Sequence, residues 1–259
     1  MMSTIQSGLQ AVRSRIEHAA RAAGRSPASI RLVAVSKTFP AAAVVEAFRL
    51  GQSAFGESYV QEAVEKLAGV RALLEQPCLR TASAEQEDAP AAASGCATGS
   101  SQLRRPEWHF IGPVQSNKTR LLAEHVDWVQ SVDRLKVAQR LSDQRPRSLP
   151  SLQVCIQVNI SGEATKSGVE PGAALSLAQQ VCALPGLCLR GLMAIPEPSM
   201  DVQEQRRQFR RLRELQDQLM SQGLQLDTLS MGMSDDLEAA IAEGATMVRV
   251  GRAIFGERS

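Results

Sequence analysis

Short apolar segments alternate with longer amphipathic segments along most of the chain, and this alternation constrains the fold more than any other feature. The predicted strands are Arg31–Ser36, Ser53–Gly56, Glu107–Gly112, Trp128–Val132, Leu152–Ile160, Leu187–Ile195, Thr228–Gly232 and Met247–Val250. Helical periodicity lies between them, for example over Ala41–Leu50, Tyr59–Leu74, Arg134–Gln144, Ala173–Ala183, Gln203–Ser221 and Asp235–Glu243. Strands that alternate with helices indicate a parallel sheet with helical crossovers.

The number of these units predicts the architecture. Eight strand–helix units fit a closed (β/α)8 TIM barrel, an α/β fold, as a single domain over residues 1–259. An additional helix precedes the first strand. The alternative is an open doubly wound sheet, which would carry a glycine-rich GxGxxG turn after its first strand. The sequence there is SKTFPA, which contains no glycine, so the barrel is favoured.

One segment, Glu75–Glu107, interrupts the alternation. It is rich in Ala, Ser, Gly and Pro and shows no periodicity. Such a composition cannot bury enough apolar surface to offset the entropy lost on ordering. We therefore predict a disordered surface insertion, and a regulatory or partner-binding role is the alternative.

Composition excludes several classes of protein. A net charge of +2 and an aromatic content of 3% argue against nucleic-acid binding, so we interpret the arginine-rich Arg206–Arg213 as a solvated helix face. No segment approaches the roughly 18 apolar residues of a membrane helix, and the N-terminus lacks the apolar core of a signal peptide. The 5 cysteines show no CxxC spacing, which argues against a disulfide framework or a metal site. These features predict a reduced, cytoplasmic protein.

The first predicted strand ends in an unusual residue, Lys37. An ammonium group is costly to bury without a partner, yet Lys37 follows directly from an apolar run. The functional groups of (β/α)8 barrels gather at the C-terminal ends of the strands. A partly desolvated lysine there can act as a neutral amine that attacks a carbonyl. The alternative is a lysine that reaches solvent or pairs with a carboxylate such as Glu57.

The other four lysines have ordinary settings. Lys66 and Lys136 stand among polar residues in helical patterns, so we predict that both are solvated. Lys118 and Lys166 are assigned to loops. Only Lys37 combines an amine with the end of a buried strand.

The last two strands are each followed by a glycine, at Gly232 and Gly251. Glycine lets the backbone approach a ligand closely, and exposed N–H groups there can bind an anion. Ser234 is predicted as the N-cap of the following helix, and many barrels bind phosphate after strands seven and eight. Asp235 and Asp236 must then point away or cap the helix. The alternative is that the glycines serve only the turns and Ser234 only the cap.

The last strand also carries Arg249, which faces away from Val248 and Val250. A guanidinium that points into a barrel needs a ligand or a carboxylate as partner. The sequence thus predicts a lysine that can attack a carbonyl, two glycine turns that can bind a phosphate, and an arginine between them. These are the groups that hold pyridoxal phosphate (PLP).

Six motifs extend this interpretation: VAVSKTFP, FGESYVQE, WHFIGPVQSNK, VNISGEATKSGV, GLMAIP and LSMGMSDDLEAAIAEGATMVRVGRAIFGER. In this order they resemble the pyridoxal phosphate homeostasis protein family over nearly the whole chain except Glu75–Glu107. The resemblance implies a fold-type-III PLP barrel, similar to the N-terminal domain of alanine racemase. It also implies a monomer that binds and buffers PLP without a defined reaction, with PLP-dependent apoenzymes as possible partners.

The resemblance assigns roles to individual residues. Lys37 would hold PLP as a Schiff base, Ser234 and the backbone around Gly251 and Arg252 would hold the phosphate, and Arg249 would face the pyridine nitrogen. Ser58, Asn159 and Met231, which belong to the quoted motifs, would also contact the cofactor.

Three positions depart from the family pattern. Ser58 replaces the usual Asn, so a polar contact near the cofactor is shortened or filled by water. Arg252 replaces the usual Thr; its backbone N–H can still bind phosphate, while its side chain either supplies charge or turns outward. Gly162 replaces the usual Asp, which could loosen the loop after strand five.

A PLP-dependent amino-acid racemase of the alanine racemase type is the alternative function. Such enzymes take a second base, a tyrosine, from an additional β-rich domain for which we expect no room here. The sole tyrosine, Tyr59, begins a helix after strand two, and His109 is interpreted as structural. Because a second base is missing, we predict a PLP carrier and regulator.

Overall fold

The computed structural model describes residues 2–76, 105–162 and 167–256. Its eight strands are all parallel and form a closed barrel in chain order, which confirms the predicted fold over the open sheet. The strands are β1 Arg31–Val35, β2 Ala54–Glu57, β3 Glu107–Phe110, β4 Trp128–Val132, β5 Leu152–Gln157, β6 Leu187–Met193, β7 Thr228–Ser230 and β8 Met247–Val250. The helices are α1 Thr4–Ala22, α2 Ala41–Arg49, α3 Val60–Glu75, α4 Thr119–His125, α5 Leu135–Gln144, α6 Ala174–Cys182, α7 Val202–Ser221, α8 Leu237–Ala242 and α9 Arg252–Phe255.

The strands are apolar because each is covered on both faces, by the barrel interior and by the surrounding helices. Closure is made between β1 and β8, where Ala34 pairs with Val250. Within the described ranges, no helix has both the length and the apolar character that a bilayer span requires. The predicted insertion cannot be compared, because most of Glu75–Glu107 lies outside the described residues.

Five strands end earlier than predicted, and β1 ends only one residue early, at Val35. β3, β5, β6 and β7 stop two or three residues before the predicted ends, because the chain leaves the sheet to form loops at the C-terminal mouth of the barrel. After β5, for example, the Asn159 main-chain N–H donates to Val169 O at 2.9 Å rather than to β6. The residues after these strand ends therefore line loops, where they are available for binding.

The additional helix α1 packs against the last two helices and braces the turn after β7. Its apolar stripe is fully covered and consists of Leu9, Val12, Ile16 and Ala20. Gly8 lies so close to α9 that an added Cβ would approach Ala253 O to 2.6 Å. On the same helix, Arg15 donates to Ser234 O at 2.8 Å and to Glu238 at 2.7 Å. The helix therefore supports the predicted phosphate turns from behind.

The arginine-rich helix α7 is not only a solvated face, and the interpretation of Arg206–Arg213 is corrected here. Arg206 Nε lies 2.7 Å from Glu243 Oε1, and Arg210 Nη2 lies 3.0 Å from the same oxygen. Arg213 Nη1 lies 3.6 Å from Glu243 Oε2. Because Glu243 is buried at the end of α8, these arginines attach α7 to α8.

Glu243→Gln is expected to reduce the free energy of unfolding at pH 7 by about 1–3 kcal/mol, because charged hydrogen bonds are lost. Burial would raise the pKa of Glu243, but hydrogen bonds from Arg210 and Arg206 outweigh it and lower the pKa overall. A lowered folded-state pKa stabilises the fold above the unfolded-state pKa, and this stabilisation disappears as the pH falls through the folded-state value. The difference in the free energy of unfolding between the variant and the wild type should therefore become smaller as the pH falls. Urea unfolding between pH 7 and pH 3 measures it, and a difference that grows in acid would contradict the assignment.

Candidate functional site

Lys37 lies at the C-terminal mouth of the barrel, as predicted. β1 ends at Val35, Ser36 is buried, and Lys37 is half-buried at the start of the loop. The turn after β8 lies directly beside it, because an added Cβ on Gly251 would lie 3.0 Å from Val35 O. The amine-bearing loop and the Gly251 turn are therefore neighbours across the pair of strands that closes the barrel.

The turn after β7 requires a glycine. Gly232 has a φ of +94°, and an added Cβ would lie 2.6 Å from the Ala240 side chain. Its carbonyl accepts from Arg249 N at 2.9 Å, which joins this turn to β8. Within the described residues, the main-chain N–H groups of Ser234 and Arg252 donate to no other residue. The two turns thus form a backbone cradle with N–H groups available to an anion.

The prediction of Ser234 as an N-cap is wrong. α8 begins at Leu237, so the cap position belongs to Asp236. The Asp236 carboxylate accepts from Met233 N at 2.6 Å, which stabilises the turn rather than the helix end. Asp235 pairs with Arg252 at 2.9 Å on the surface. Both carboxylates have partners within the turns, and the Arg252 side chain has turned outward, which is one of its two predicted alternatives.

Arg249 is buried in the barrel, as predicted, but its hydrogen-bond partners are neutral. Nη1 donates to Ser230 Oγ at 2.6 Å and Nη2 donates to Ala194 O at 2.9 Å. Burial lowers the pKa of Arg249 to about 10, although the negative charge of Asp236 acts to raise it. Among the described residues no carboxylate forms an ion pair with this guanidinium. A site built around it favours a ligand that accepts hydrogen bonds.

A chain of polar side chains, which we call the polar column, continues from Arg249 through the barrel. Ser230 Oγ donates to Gln130 Oε1 at 2.6 Å, and Gln130 Nε2 donates to His109 Nδ1 at 2.8 Å. His109 Nε2 then donates to Glu107 Oε1 at 2.7 Å. Burial lowers the pKa of His109 despite the neighbouring carboxylate, so the imidazole is neutral. Every donor in the column points away from Arg249, which fixes the orientation of the guanidinium.

Gln130→Leu is expected to reduce the free energy of unfolding by about 2–4 kcal/mol, because the buried Ser230 hydroxyl loses its acceptor and the buried His109 Nδ1 loses its donor. Thermal or urea unfolding measures the loss. Gln180→Leu, on the exposed face of α6, is the matched control and should change stability by no more than about 0.5 kcal/mol. Equal stabilities for the two variants would show that the column does not stabilise the barrel.

Three other predicted site residues occupy loops at the same mouth. Asn159 Oδ1 accepts from Gly162 N at 3.1 Å, so its side chain shapes the loop after β5. Gly162 has a φ of +75°, a conformation that suits glycine better than the usual Asp of the family. Met231 is fully buried in the core, and Ser58 is half-buried after β2. The roles of Ser58, Asn159 and Met231 in binding stay predictions.

Lys66 was missed by the sequence analysis, which wrongly predicted a solvated side chain. It is 7% exposed and contacts Glu57 Oε1 at 2.7 Å, so Glu57 is the partner of Lys66. The signal was its position on the apolar stripe of α3, between Ala63 and Val70. A lysine on such a stripe requires a buried acceptor, and Glu57 at the end of β2 supplies one.

Comparisons with known proteins agree with this geometry. The alanine racemase N-terminal domain family matches residues 8–259, which defines the class of barrel. A protein of Pseudomonas aeruginosa named pyridoxal phosphate homeostasis protein is 54% identical over 257 residues, or 99% of this chain and 97% of that protein. The chain belongs to the pyridoxal phosphate homeostasis protein family.

Solved structures show the same relationship. PipY of Synechococcus elongatus, solved with PLP bound, is 33% identical with a TM-score of 0.76, covering 97% of this chain and 100% of PipY. Alanine racemase of Clostridium difficile shares the fold, with a TM-score of 0.68 at 14% identity. The match covers 98% of this chain but only 56% of the racemase.

Proposed function

We propose that this protein binds PLP at the mouth of its barrel and serves in PLP homeostasis, with Lys37 as the covalent attachment point. The observation that carries the proposal is the adjacency of the Lys37 loop to the Gly251 turn after β8, a strand that is joined to the Gly232 turn by the hydrogen bond from Arg249 N. The residues present fit the cofactor, because the turns after β7 and β8 leave the main-chain N–H groups of Ser234 and Arg252 without an acceptor among the described residues, so both can donate to a phosphate. The PLP bound to the related PipY supports the same assignment.

Each part of the site would hold one part of the cofactor. The main chain at Ser234, Gly251 and Arg252 would bind the phosphate through N–H groups, and Arg249 would donate to the pyridine nitrogen. Ser58, Asn159 and Met231 would line the ring. When bound, PLP supplies an aldehyde that condenses with amines and a ring that withdraws electrons. The chain itself supplies the amine, the anion cradle and a fixed guanidinium.

The same geometry disfavours racemisation, which needs a base on each face of the ring. Tyr59 is 58% exposed just before α3. His109 is buried, and both of its ring nitrogens are hydrogen-bonded in the polar column. Arg249, as a charged donor, would keep the pyridine nitrogen unprotonated and weaken the ring as an electron sink. A carrier and regulator without turnover fits these features.

We extend the proposal to the wider setting of the protein. The whole chain, residues 1–259, would act as one PLP-binding domain and as a monomer in the cytoplasm. Apoenzymes that depend on PLP would receive the cofactor from it. The relatives named for PLP homeostasis support this role.

The proposal is tested by loading the purified protein with PLP. We expect retention of one PLP per chain after gel filtration, with a visible absorption band that borohydride reduction converts to an irreversible adduct. PLP-loaded protein should give no detectable alanine racemisation. Loss of all PLP on gel filtration would contradict binding, and sustained turnover at about 1–10³ per second would support the racemase alternative.

A further inference from the structure

The side chain of Lys66 reaches from α3 to the main chain beside Lys37. Its Nζ donates to Ser36 O at 2.6 Å, to Glu57 Oε1 at 2.7 Å and to Glu62 Oε1 at 2.8 Å. An ammonium group has three donors, so all of them are used. One of the three acceptors is the carbonyl of the residue directly before Lys37.

The loop is held on the other side of Lys37 as well. Glu62, which accepts from Lys66, also accepts from the main-chain N–H of Thr38. Ser36 Oγ donates to Glu57 Oε1 at 2.7 Å, so the preceding residue is attached by its side chain too. The two residues that flank Lys37 are therefore tied to a single cluster. We call Glu57, Glu62 and Lys66 the lysine clamp.

The backbone within the clamp is unusual. Thr38 has a φ of +69°, which residues other than glycine rarely adopt, β-branched ones least of all. Such a conformation persists only where the surrounding contacts determine it. The hydrogen bond from Thr38 N to Glu62 supplies one of these contacts. The clamp thus holds the chain in a turn that it would not adopt by itself.

We propose that Glu57, Glu62 and Lys66 are positioning residues that aim the Lys37 side chain at the aldehyde of PLP. This inference rests on the proposed function. In the step concerned, the electron pair of the neutral Lys37 amine forms a bond to the aldehyde carbon. The carbonyl oxygen leaves as water with the two amine hydrogens. The clamp does not react; it fixes the peptide from which the amine projects.

The clamp also explains why a second buried lysine does not compete for the aldehyde. Each proton of the Lys66 ammonium has an acceptor, so its nitrogen has no electron pair available for attack. Two carboxylates stabilise this charged form. Among the described lysines, Lys37 alone directly follows a strand end at the mouth, so the site should form one adduct at one position.

A merely structural ion pair would predict something different. If Lys66 only attached α3 to the barrel, its replacement would lower stability, and the folded fraction would bind PLP at the normal rate. A positioning role predicts slower adduct formation even in fully folded protein. The relevant measurement is therefore the rate of adduct formation, with folding monitored separately.

Glu62→Ala is the sharpest variant, because Glu62 is only partly buried and its removal frees Thr38 N while Lys66 keeps Glu57. We expect adduct formation with PLP, followed by stopped-flow absorbance, to slow by on the order of tenfold or more, since small misplacements of reacting groups are costly. Lys66→Met should show at least as large an effect, provided circular dichroism shows that it is folded. Glu65→Ala removes the same charge from an exposed position on α3 and is the matched control.

The outcomes separate the two proposals. Slow formation in Glu62→Ala, a normal rate in Glu65→Ala and an adduct mapped to Lys37 by mass spectrometry would support the clamp. Wild-type rates in folded Glu62→Ala would overturn it and leave the proposed function intact. A wild-type adduct mapped to a residue other than Lys37 would overturn the clamp and the Lys37 assignment together.

Discussion

Lys37→Ala is expected to abolish the covalent PLP adduct, from one per chain to an undetectable level, while the barrel stays folded. Alanine has no nucleophile, and Lys66, a buried lysine beside the Lys37 loop, has all three donors engaged. The main-chain contacts at Ser234 and Gly251 would remain, so weak and reversible binding should persist. Absorbance titration followed by borohydride reduction and peptide mapping measures the loss.

The control for this experiment is Lys136→Ala. Lys136 is exposed on α5, so its replacement removes the same charge without touching the mouth of the barrel. It should retain the wild-type band, and both variants should unfold within about 0.5 kcal/mol of wild type, as surface changes usually do. An unchanged band in Lys37→Ala would refute the assignment of Lys37.

Gly112→Ala should produce the largest loss of stability among the changes at the mouth. An added Cβ at Gly112 would lie 2.1 Å from Ser58 O and 2.8 Å from Ser58 Cα, which are backbone atoms that cannot rotate away. Either β3 or the loop after β2 must move. Overpacking of this kind costs about 3 kcal/mol, measured by urea unfolding.

The same change should weaken PLP binding, because Ser58 belongs to the predicted site and lies in the displaced loop. Gly172→Ala is the matched control, since an added Cβ there meets nothing within 4 Å. Its stability should stay within about 0.5 kcal/mol of wild type. If Gly112→Ala were as stable as Gly172→Ala, the close approach of the two loops would be incorrect.

The sequence was sufficient to predict the barrel, because its strands are buried on both faces and therefore read as continuous apolar runs. Strand ends were predicted less well. Val158 and Met231 each donate one more hydrogen bond to a neighbouring strand, but Asn159 N already donates to Val169 O in the loop, and Ile160 is buried beyond that point. An apolar run in the sequence indicates buried residues, and buried residues continue beyond the last hydrogen bond between strands. The predicted strand ends are therefore too late.

The position of a candidate site residue was predictable where that residue conflicts with its local sequence. Lys37, Gly232 and Arg249 each conflict with their local surroundings, and each lies at the mouth or inside the barrel. Partnerships between distant residues were not predictable. Nothing in the local pattern assigns Glu57 to Lys66, or joins Arg249 to Gln130 through Ser230, because such pairs form only when the barrel closes.

The closing pair of strands has a consequence for folding. Lys37 follows β1 and Gly251 follows β8, so the two halves of the proposed site are far apart in the sequence and meet only at the seam. A ligand bonded to both sides would act as a removable cross-link. Because such a ligand binds the closed form alone, mass action would make the resistance of the protein to unfolding rise with the supply of vitamin B6. The half-life of the folded chain would then increase with the concentration of the cofactor that it binds.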